Sequence, residues 1–155
     1  MILMKTIHDI VNGDSKTNLS LQKLVDDIIK NSSAGPGQSK VHIKNNVSAN
    51  LNITTNEEDI VASVVKGILS AMMTHAADGD IDISAKELFG NTIKLSVKDN
   101  NCYNTYAVAC SLQNMVPLTE QMGGYLNITN QRQKITTIEF SFPVAKEDDI
   151  QENDD

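Results

Sequence analysis

The feature that most constrains the fold is the order in which helical and strand periodicities follow one another along the 155-residue chain. Apolar residues recur every three to four positions from about Leu19 to Asn31. They do so again in a longer segment that begins with a capping box formed by Thr55 and Glu58 and ends near His75. Residues 1–11 show a shorter helical pattern. Each of these segments is therefore predicted to be an amphipathic helix.

Elsewhere, apolar and polar residues alternate in short runs that are typical of half-buried strands. The first two runs are separated by an Asn- and Ser-rich turn, so we expect them to form a hairpin. A further helix is expected from Tyr106 to Leu112, with an interruption at Pro117 and an end at Gly123 and Gly124. The predicted strands are Lys40–Lys44, Leu51–Ile53, Ile81–Ile83, Ile93–Val97, Leu126–Ile128 and Ile138–Phe142.

The resulting order is helix, helix, two strands, long helix, two strands, helix, two strands. Such an order predicts an α+β fold, a two-layer sandwich in which helices cover one face of a mixed, mostly antiparallel sheet. A chain of this length has room for one domain, expected to span residues 17–144, preceded by a helix over residues 1–12.

The acidic charge is concentrated at the carboxyl end. The chain has a net charge of -7, and its last ten residues contain one basic and six acidic side chains. Such a block repels itself and buries little, so residues 145–155 are predicted to be a disordered acidic tail. An interaction tail is the alternative.

Composition also argues against several classes of function. No basic stripe indicates nucleic-acid binding, and no apolar run is long enough for a membrane span or resembles a secretory signal. A cytoplasmic protein without direct membrane contact is therefore expected. Cys102 and Cys110 lack the spacing of a zinc site and are interpreted as ordinary small side chains.

Four strings stand at Asn18–Val25, Ser96–Asp99, Met122–Asn127 and Ile135–Pro143. In this order and spacing, they resemble the ATPase domain of sensor histidine kinases. This domain belongs to the GHKL (histidine kinase-like ATPase) superfamily, which also includes gyrase. The resemblance implies the Bergerat fold and a role in two-component signal transduction. Residues 1–12 then resemble the end of the dimerisation helix, although a phosphoacceptor role for His8 is not expected.

The resemblance implies that Asp99 is the counterpart of the family's adenine-binding aspartate. Thr136 or Thr137 would support it through a water, and Asn101 stands where the family has a glycine. An asparagine there requires either a tolerated left-handed backbone or a changed approach to the base. The alternative interpretation of Asp99 is an ordinary turn residue at the end of a strand. We expect at most a vestigial adenine pocket.

The magnesium and phosphate positions of the family are not preserved. A string resembling Asn-Leu-Leu-x-Asn-Ala aligns with Gly67–Met72, so Gly67 and Ala71 supply no oxygen ligand. The hydroxyls of Ser70 and Thr74 are expected to point elsewhere around the helix. The family's glycine-rich phosphate loop aligns with Ala107, Ala109 and Ser111, and the lid segment before it is essentially missing. Lys98 and Lys134 are interpreted as solvated charges.

These observations favour a degenerate ATPase-type domain that docks a response regulator, a kinase partner or a second copy of itself, or that accompanies a phosphotransfer module whose phosphoacceptor lies outside these residues. No cofactor is expected, and binding of magnesium-ATP should be weak or absent. The alternative is a divergent but functional ATP-binding domain of a sensor histidine kinase, with ligands from positions such as Asn100, Asn101 or Asn104. A further alternative is an unrelated α+β fold with a similar pattern.

Overall fold

The structure, a computed structural model, describes residues 18–32, 41–75, 79–102 and 104–144. The helix predicted over residues 1–12, with His8, and the acidic tail predicted over residues 145–155 lie outside the described residues. None of the described helices is both long enough and apolar enough to cross a membrane.

The centre of the described fold is a five-stranded sheet with the strand order β2-β4-β5-β7-β6. Strands β2 and β4 are parallel, and the other neighbouring pairs are antiparallel. The two remaining strands, β1 and β3, form a separate antiparallel pair. The strands are β1 (Asn18–Ser20), β2 (Val41–Asn45), β3 (Asn52–Thr54), β4 (Gly79–Leu88), β5 (Thr92–Asp99), β6 (Tyr125–Gln131) and β7 (Ile135–Pro143).

Helices cover one face of this sheet. Alternate residues of β5, namely Ile93, Leu95 and Val97, are fully buried on the helical side, whereas the intervening Lys94 is half-buried and Lys98 exposed. This alternation is the one expected of a sheet with one solvated face, and it confirms the predicted two-layer α+β sandwich. The helices are α1 (Leu21–Ser32), α2 (Thr55–His75), α3 (Thr105–Ser111) and α4 (Val116–Gln121), with a 3₁₀ turn at Gln113–Met115.

The predicted hairpin between the first two strands is wrong. Strand β2 pairs in parallel with β4, and β3 pairs instead with β1. The side-chain amide of Asn45 donates to the Gln22 carbonyl oxygen at 2.9 Å and to Asp26 Oδ1 at 2.7 Å. Val47 is buried just beyond it. These contacts draw the chain away from the sheet at the end of β2, and a parallel partner is then reached through the α2 crossover.

The amino end of α2 also differs from the prediction. The capping interaction lies one residue earlier than expected, because Glu57 Oε1 accepts hydrogen bonds from the backbone N–H of Thr54 at 2.8 Å and from its hydroxyl at 2.9 Å. Thr54 is buried, so this carboxylate satisfies two polar groups that solvent does not reach. The helix therefore begins at Thr55, with Thr54 as the capping residue instead of Thr55.

Candidate functional site

Asp99 is the last residue of β5 and lies on the helical side of the sheet, where it is only 1% exposed. Its Oδ1 accepts a hydrogen bond from the backbone N–H of Asn101 at 2.9 Å. Its Oδ2 is buried and has no hydrogen-bond partner among the described residues. Burial raises the pKa of the Asp99 carboxyl, and the bond from Asn101 only partly opposes that effect. The site thus contains a buried oxygen that can accept a hydrogen bond.

Thr136 lies beside Asp99 on β7 and is fully buried. Its hydroxyl oxygen is 2.8 Å from the hydroxyl oxygen of Thr105, at the start of α3. The side-chain amide of Asn130 donates to the Thr105 hydroxyl at 2.5 Å and approaches the Thr136 hydroxyl at 3.4 Å. Thr137, the next residue, is on the opposite, solvated face of the sheet. The structure therefore brings Thr136 to Asp99 and separates Thr137 from it.

The three asparagines considered as alternative ligands hold the turn after β5. The backbone N–H of Asn100 approaches the carbonyl oxygen of Asp80 at 3.5 Å, and that of Asn101 donates to Asp99. Asn101 does not have a positive φ, so its backbone does not use the left-handed conformation considered for this position. Asn104 caps α3, since its side-chain oxygen accepts from the backbone N–H of Ala107 at 3.2 Å.

The position that resembles the metal site is packed with apolar atoms. A Cβ added at Gly67 would lie 2.6 Å from the sulfur of Met115, because Met115 of the 3₁₀ turn rests directly on the Gly67 backbone. Ala71, one turn later on α2, is buried in the core with 5% exposure. Ser70 is exposed, and its carbonyl oxygen accepts the Thr74 hydroxyl at 2.7 Å. The α2 surface near Gly67 and Ala71 therefore contributes to the core.

The residues aligned with the glycine-rich loop form a helix. Ala107, Ala109 and Ser111 all lie within α3, and the Ser111 hydroxyl donates to the Ala107 carbonyl oxygen at 3.0 Å. Helix α3 packs against α2. A phosphate cradle needs backbone N–H groups that point at the anion, whereas here the Ala107 N–H is bonded to Asn104. Gly67 and Ala71 therefore offer no side-chain oxygen to a magnesium ion, and the Ala107 N–H is not free to bind a phosphate.

Other charged or metal-binding groups do not complete the site. Across the part of the chain that the structure describes, no group of three or more His, Cys, Asp or Glu residues could hold a metal ion. Lys98 and Lys134 are exposed. Cys102 is buried and Cys110 is exposed, and both are free thiols.

The sequence reasoning missed Met115, Thr105 and Asn130, which fill or cover the site. Thr105 directly precedes a helical pattern, and Asn130 lies two residues after a predicted strand, so both stand near element boundaries. No local pattern in the sequence indicates that Met115 contacts Gly67, since that contact joins segments 48 residues apart.

Comparisons with known proteins bear on the fold. No protein-family model matches the chain, and no curated protein matches it. The Acinetobacter baumannii histidine kinase AdeS is similar in structure, with a TM-score of 0.68 and 8% identity over 84% of this chain and 68% of that one. The catalytic domain of the histidine kinase ThkA gives a TM-score of 0.64 and 11% identity, over 83% of this chain and 95% of that one.

This chain has the fold of the histidine kinase ATPase domain. The alternative of an unrelated α+β fold is therefore wrong. A third similar structure, full-length ShkA in complex with AMPPNP, has a TM-score of 0.69 and 15% identity, and the match covers 85% of this chain and 32% of that one. The histidine kinase ATPase fold places Asp99 and Thr136 side by side at one end of the sheet.

Proposed function

We propose that this chain is a binding module of a two-component signalling protein, built on the histidine kinase ATPase fold but without turnover of magnesium-ATP. Its partner would be a response regulator or a kinase partner protein. The observation that carries this proposal is the contact of Met115 with Gly67, together with the burial of Ala71. Both positions correspond to polar positions of the family string, and both are used here for apolar packing.

The magnitude of the loss supports a scaffold over a weak enzyme. Hydrogen bonds to charged groups contribute about 1.5–3 kcal/mol each, so loss of one metal ligand and one phosphate contact costs roughly 3–6 kcal/mol. That cost corresponds to about two to four powers of ten in affinity. Triphosphate binding at cellular concentrations would then contribute little to the function of the domain.

A second candidate function is nucleotide binding through the adenine end alone. It is favoured by Asp99 Oδ2, a buried acceptor without a partner in the described residues. An exocyclic amine is the donor that would satisfy it. Against this candidate, the Thr136 hydroxyl is already bonded within the chain to Thr105. Such a site would recognise a base without holding its phosphates.

Isothermal titration with magnesium-ATP, magnesium-ADP and adenosine separates the two candidates. For a binding module we expect no binding tighter than about 1 mM with any of the three ligands. Magnesium-ATP binding tighter than that, lost in Asp99→Ala but retained in Asp82→Ala, would overturn the proposal. Asp82 is a suitable control because it lies on β4, on the solvated face of the sheet. Equal binding of adenosine and magnesium-ATP would instead support the second candidate.

The docking part of the proposal has its own measurement. Purified receiver domains and histidine kinases from the same organism are titrated against the full chain, and saturable binding that is unaffected by magnesium-ATP is expected for at least one of them. If no receiver domain or partner kinase binds, the chain is not a docking module for two-component proteins.

A further inference from the structure

Among the described residues, strand β6 is an edge of the sheet that carries none of the protection usual for edge strands. Its seven residues, Tyr125–Gln131, include no charged side chain and no proline. Within the described ranges, its backbone is bonded to β7 and, at the turn, to the Lys134 N–H, and no other segment pairs with it. Natural edge strands are normally guarded by lysines, prolines, bulges or a covering segment, because a free edge pairs readily with another strand.

The opposite edge of the same sheet is guarded. Strand β2 has only five residues and carries exposed His42 and Lys44 on its solvated side. Its last residue, Asn45, is tied to α1 through the Gln22 carbonyl oxygen and Asp26. A short, charged and anchored edge disfavours pairing, so the two edges of the sheet differ in their capacity to accept a further strand.

We propose that β6 pairs antiparallel with β6 of a second copy of this chain, so that the two five-stranded sheets join into one. Full overlap of residues 125–131 places Ile128 opposite Ile128 of the second copy, because Ile128 is the central residue of the strand. Residues of even number then face residues of even number. Side chains of the helical side therefore meet those of the helical side, and the two helical layers lie on the same face of the joined sheet.

Charge favours the second copy at this edge over most other surfaces of the chain. Two copies with a net charge of -7 repel each other, and the repulsion is smallest where the contact carries no charge. In the two-fold register Asn127 faces Thr129 of the second copy, and Tyr125 faces Gln131. All four side chains are uncharged and can hydrogen-bond or pack across the strands.

The helical side of the same strand has apolar surface left to bury. Leu126 and Ile128 pack against the core but are only half-buried. Pairing of two β6 strands would bury more of the Leu126 and Ile128 side chains against the second copy. This interface requires neither a nucleotide nor the helix predicted over residues 1–12, so it is independent of the proposed function.

The test is sedimentation velocity of the full chain over a wide concentration range, with two matched variants. Thr129→Lys places a charge on the edge, and the two-fold brings the two new charges close together. Ser84→Lys makes a comparable change at an exposed position on the same face of the sheet, on β4, which is separated from β6 by β5 and β7. We expect the wild type and Ser84→Lys to dimerise alike, and the dimer affinity of Thr129→Lys to fall about tenfold or more. Thermal melts of both variants check that each is folded.

A charge-swap pair sharpens the assignment to this register. Asn127→Lys and Thr129→Glu should each weaken self-association, and an equimolar mixture should recover a dimer, because Lys at 127 then faces Glu at 129 of the other copy. Hydrogen exchange gives a second readout, since amides within residues 125–131 should become protected at high protein concentration. A wild type that stays monomeric to about 1 mM overturns the proposal. So does a dimer that Thr129→Lys and Ser84→Lys affect equally.

Discussion

The two ends of the candidate site differ in the side chains that they bury. At the end for which the resemblance implies an adenine pocket, Asp99 is buried at the end of β5 next to Thr136. At the metal and phosphate end, Gly67 is covered by Met115, and Ala71 belongs to the core. The adenine end is positioned by strand pairing, which the whole sheet requires. The phosphate end depends on helix faces and a loop, which can change their residues without loss of the fold.

The difference also has an energetic side. Burial of an unpartnered carboxylate oxygen costs stability, whereas apolar packing at Gly67 and Ala71 contributes to it. The chain therefore pays for a polar group at one end of the site and is stabilised by apolar contacts at the other. Measurements of the free energy of unfolding test this difference between the two ends of the site.

The largest effect is expected at Ala71. Ala71→Asn introduces an amide into a tightly packed and buried position, and we expect a loss of about 2–4 kcal/mol in the free energy of unfolding. Urea denaturation measures the change. Ser70→Asn, on the exposed side of the same helix, serves as the control and should stay within about 0.5 kcal/mol of wild type. A stable Ala71→Asn variant with new magnesium-ATP affinity would show that this position faces a ligand site.

A smaller effect of opposite sign is expected at Asp99. Asp99→Asn keeps the acceptor for the Asn101 N–H and removes the buried charge, but it leaves a buried NH2 group without a partner, so the net stabilisation near neutral pH should be about 1 kcal/mol. The carboxyl pKa in the folded state is raised above its ordinary value of 3.8. Burial therefore favours the protonated form, and the stability of the wild type declines as the pH rises through the folded-state pKa.

The pH dependence shows whether the stabilisation in Asp99→Asn comes from removal of the buried charge. The gain in Asp99→Asn should be constant above the folded-state pKa of Asp99 and should shrink as the pH falls toward 3.8. Glu139→Gln is the control with the reverse sign, because the hydrogen bond from Lys94 at 3.1 Å lowers the Glu139 pKa below 4.5. The stability lost in Glu139→Gln, below about 1 kcal/mol, should disappear as the pH falls through the folded-state pKa of Glu139. A gain in Asp99→Asn that is independent of pH would contradict the assigned cause.

The smallest effect is a coupling between Gly67 and Met115. Met115→Ala removes the side chain that rests on the glycine, so the helix-favouring Gly67→Ala should be more favourable in that background than in wild type. A double-mutant cycle by chemical denaturation should give a coupling energy of about 1 kcal/mol. Gly67→Ala combined with Cys110→Ala, an exposed position on α3, provides the additive control. If the effects of Gly67→Ala and Met115→Ala are additive, Met115 does not pack as closely against Gly67 as the structure shows.

Local patterns predicted most of the elements correctly. The apolar face of α2 and the alternation along β5 and β7 are visible in the chain itself, because a buried stripe needs apolar residues at fixed spacing. Strand β1 was missed, since three residues carry too little pattern to be separated from the α1 helix that follows. Pro117 was expected to interrupt a helix, and instead it stands in the first turn of α4, where its missing N–H costs nothing.

Pairing partners were predicted less well than elements. The distance along the chain between β2 and β3 is short, which favoured a hairpin, yet β2 pairs with β4 and β3 with β1. Strand β2 ends where the side-chain amide of Asn45 donates to the Gln22 carbonyl oxygen of α1, a contact between residues 23 positions apart. No property of the Asn- and Ser-rich segment alone indicates that contact.

The amino-acid sequence alone determined which residues could bury a face, and it determined that positions 67 and 71 offer no oxygen ligand. Only the tertiary structure decided that Met115 covers Gly67, that Thr105 bonds to Thr136, and that β6 is left at an edge. The physical reason is the range of the interactions. Side-chain chemistry and periodicity are local to the chain, whereas contacts between distant segments depend on which surfaces meet after the loops have closed.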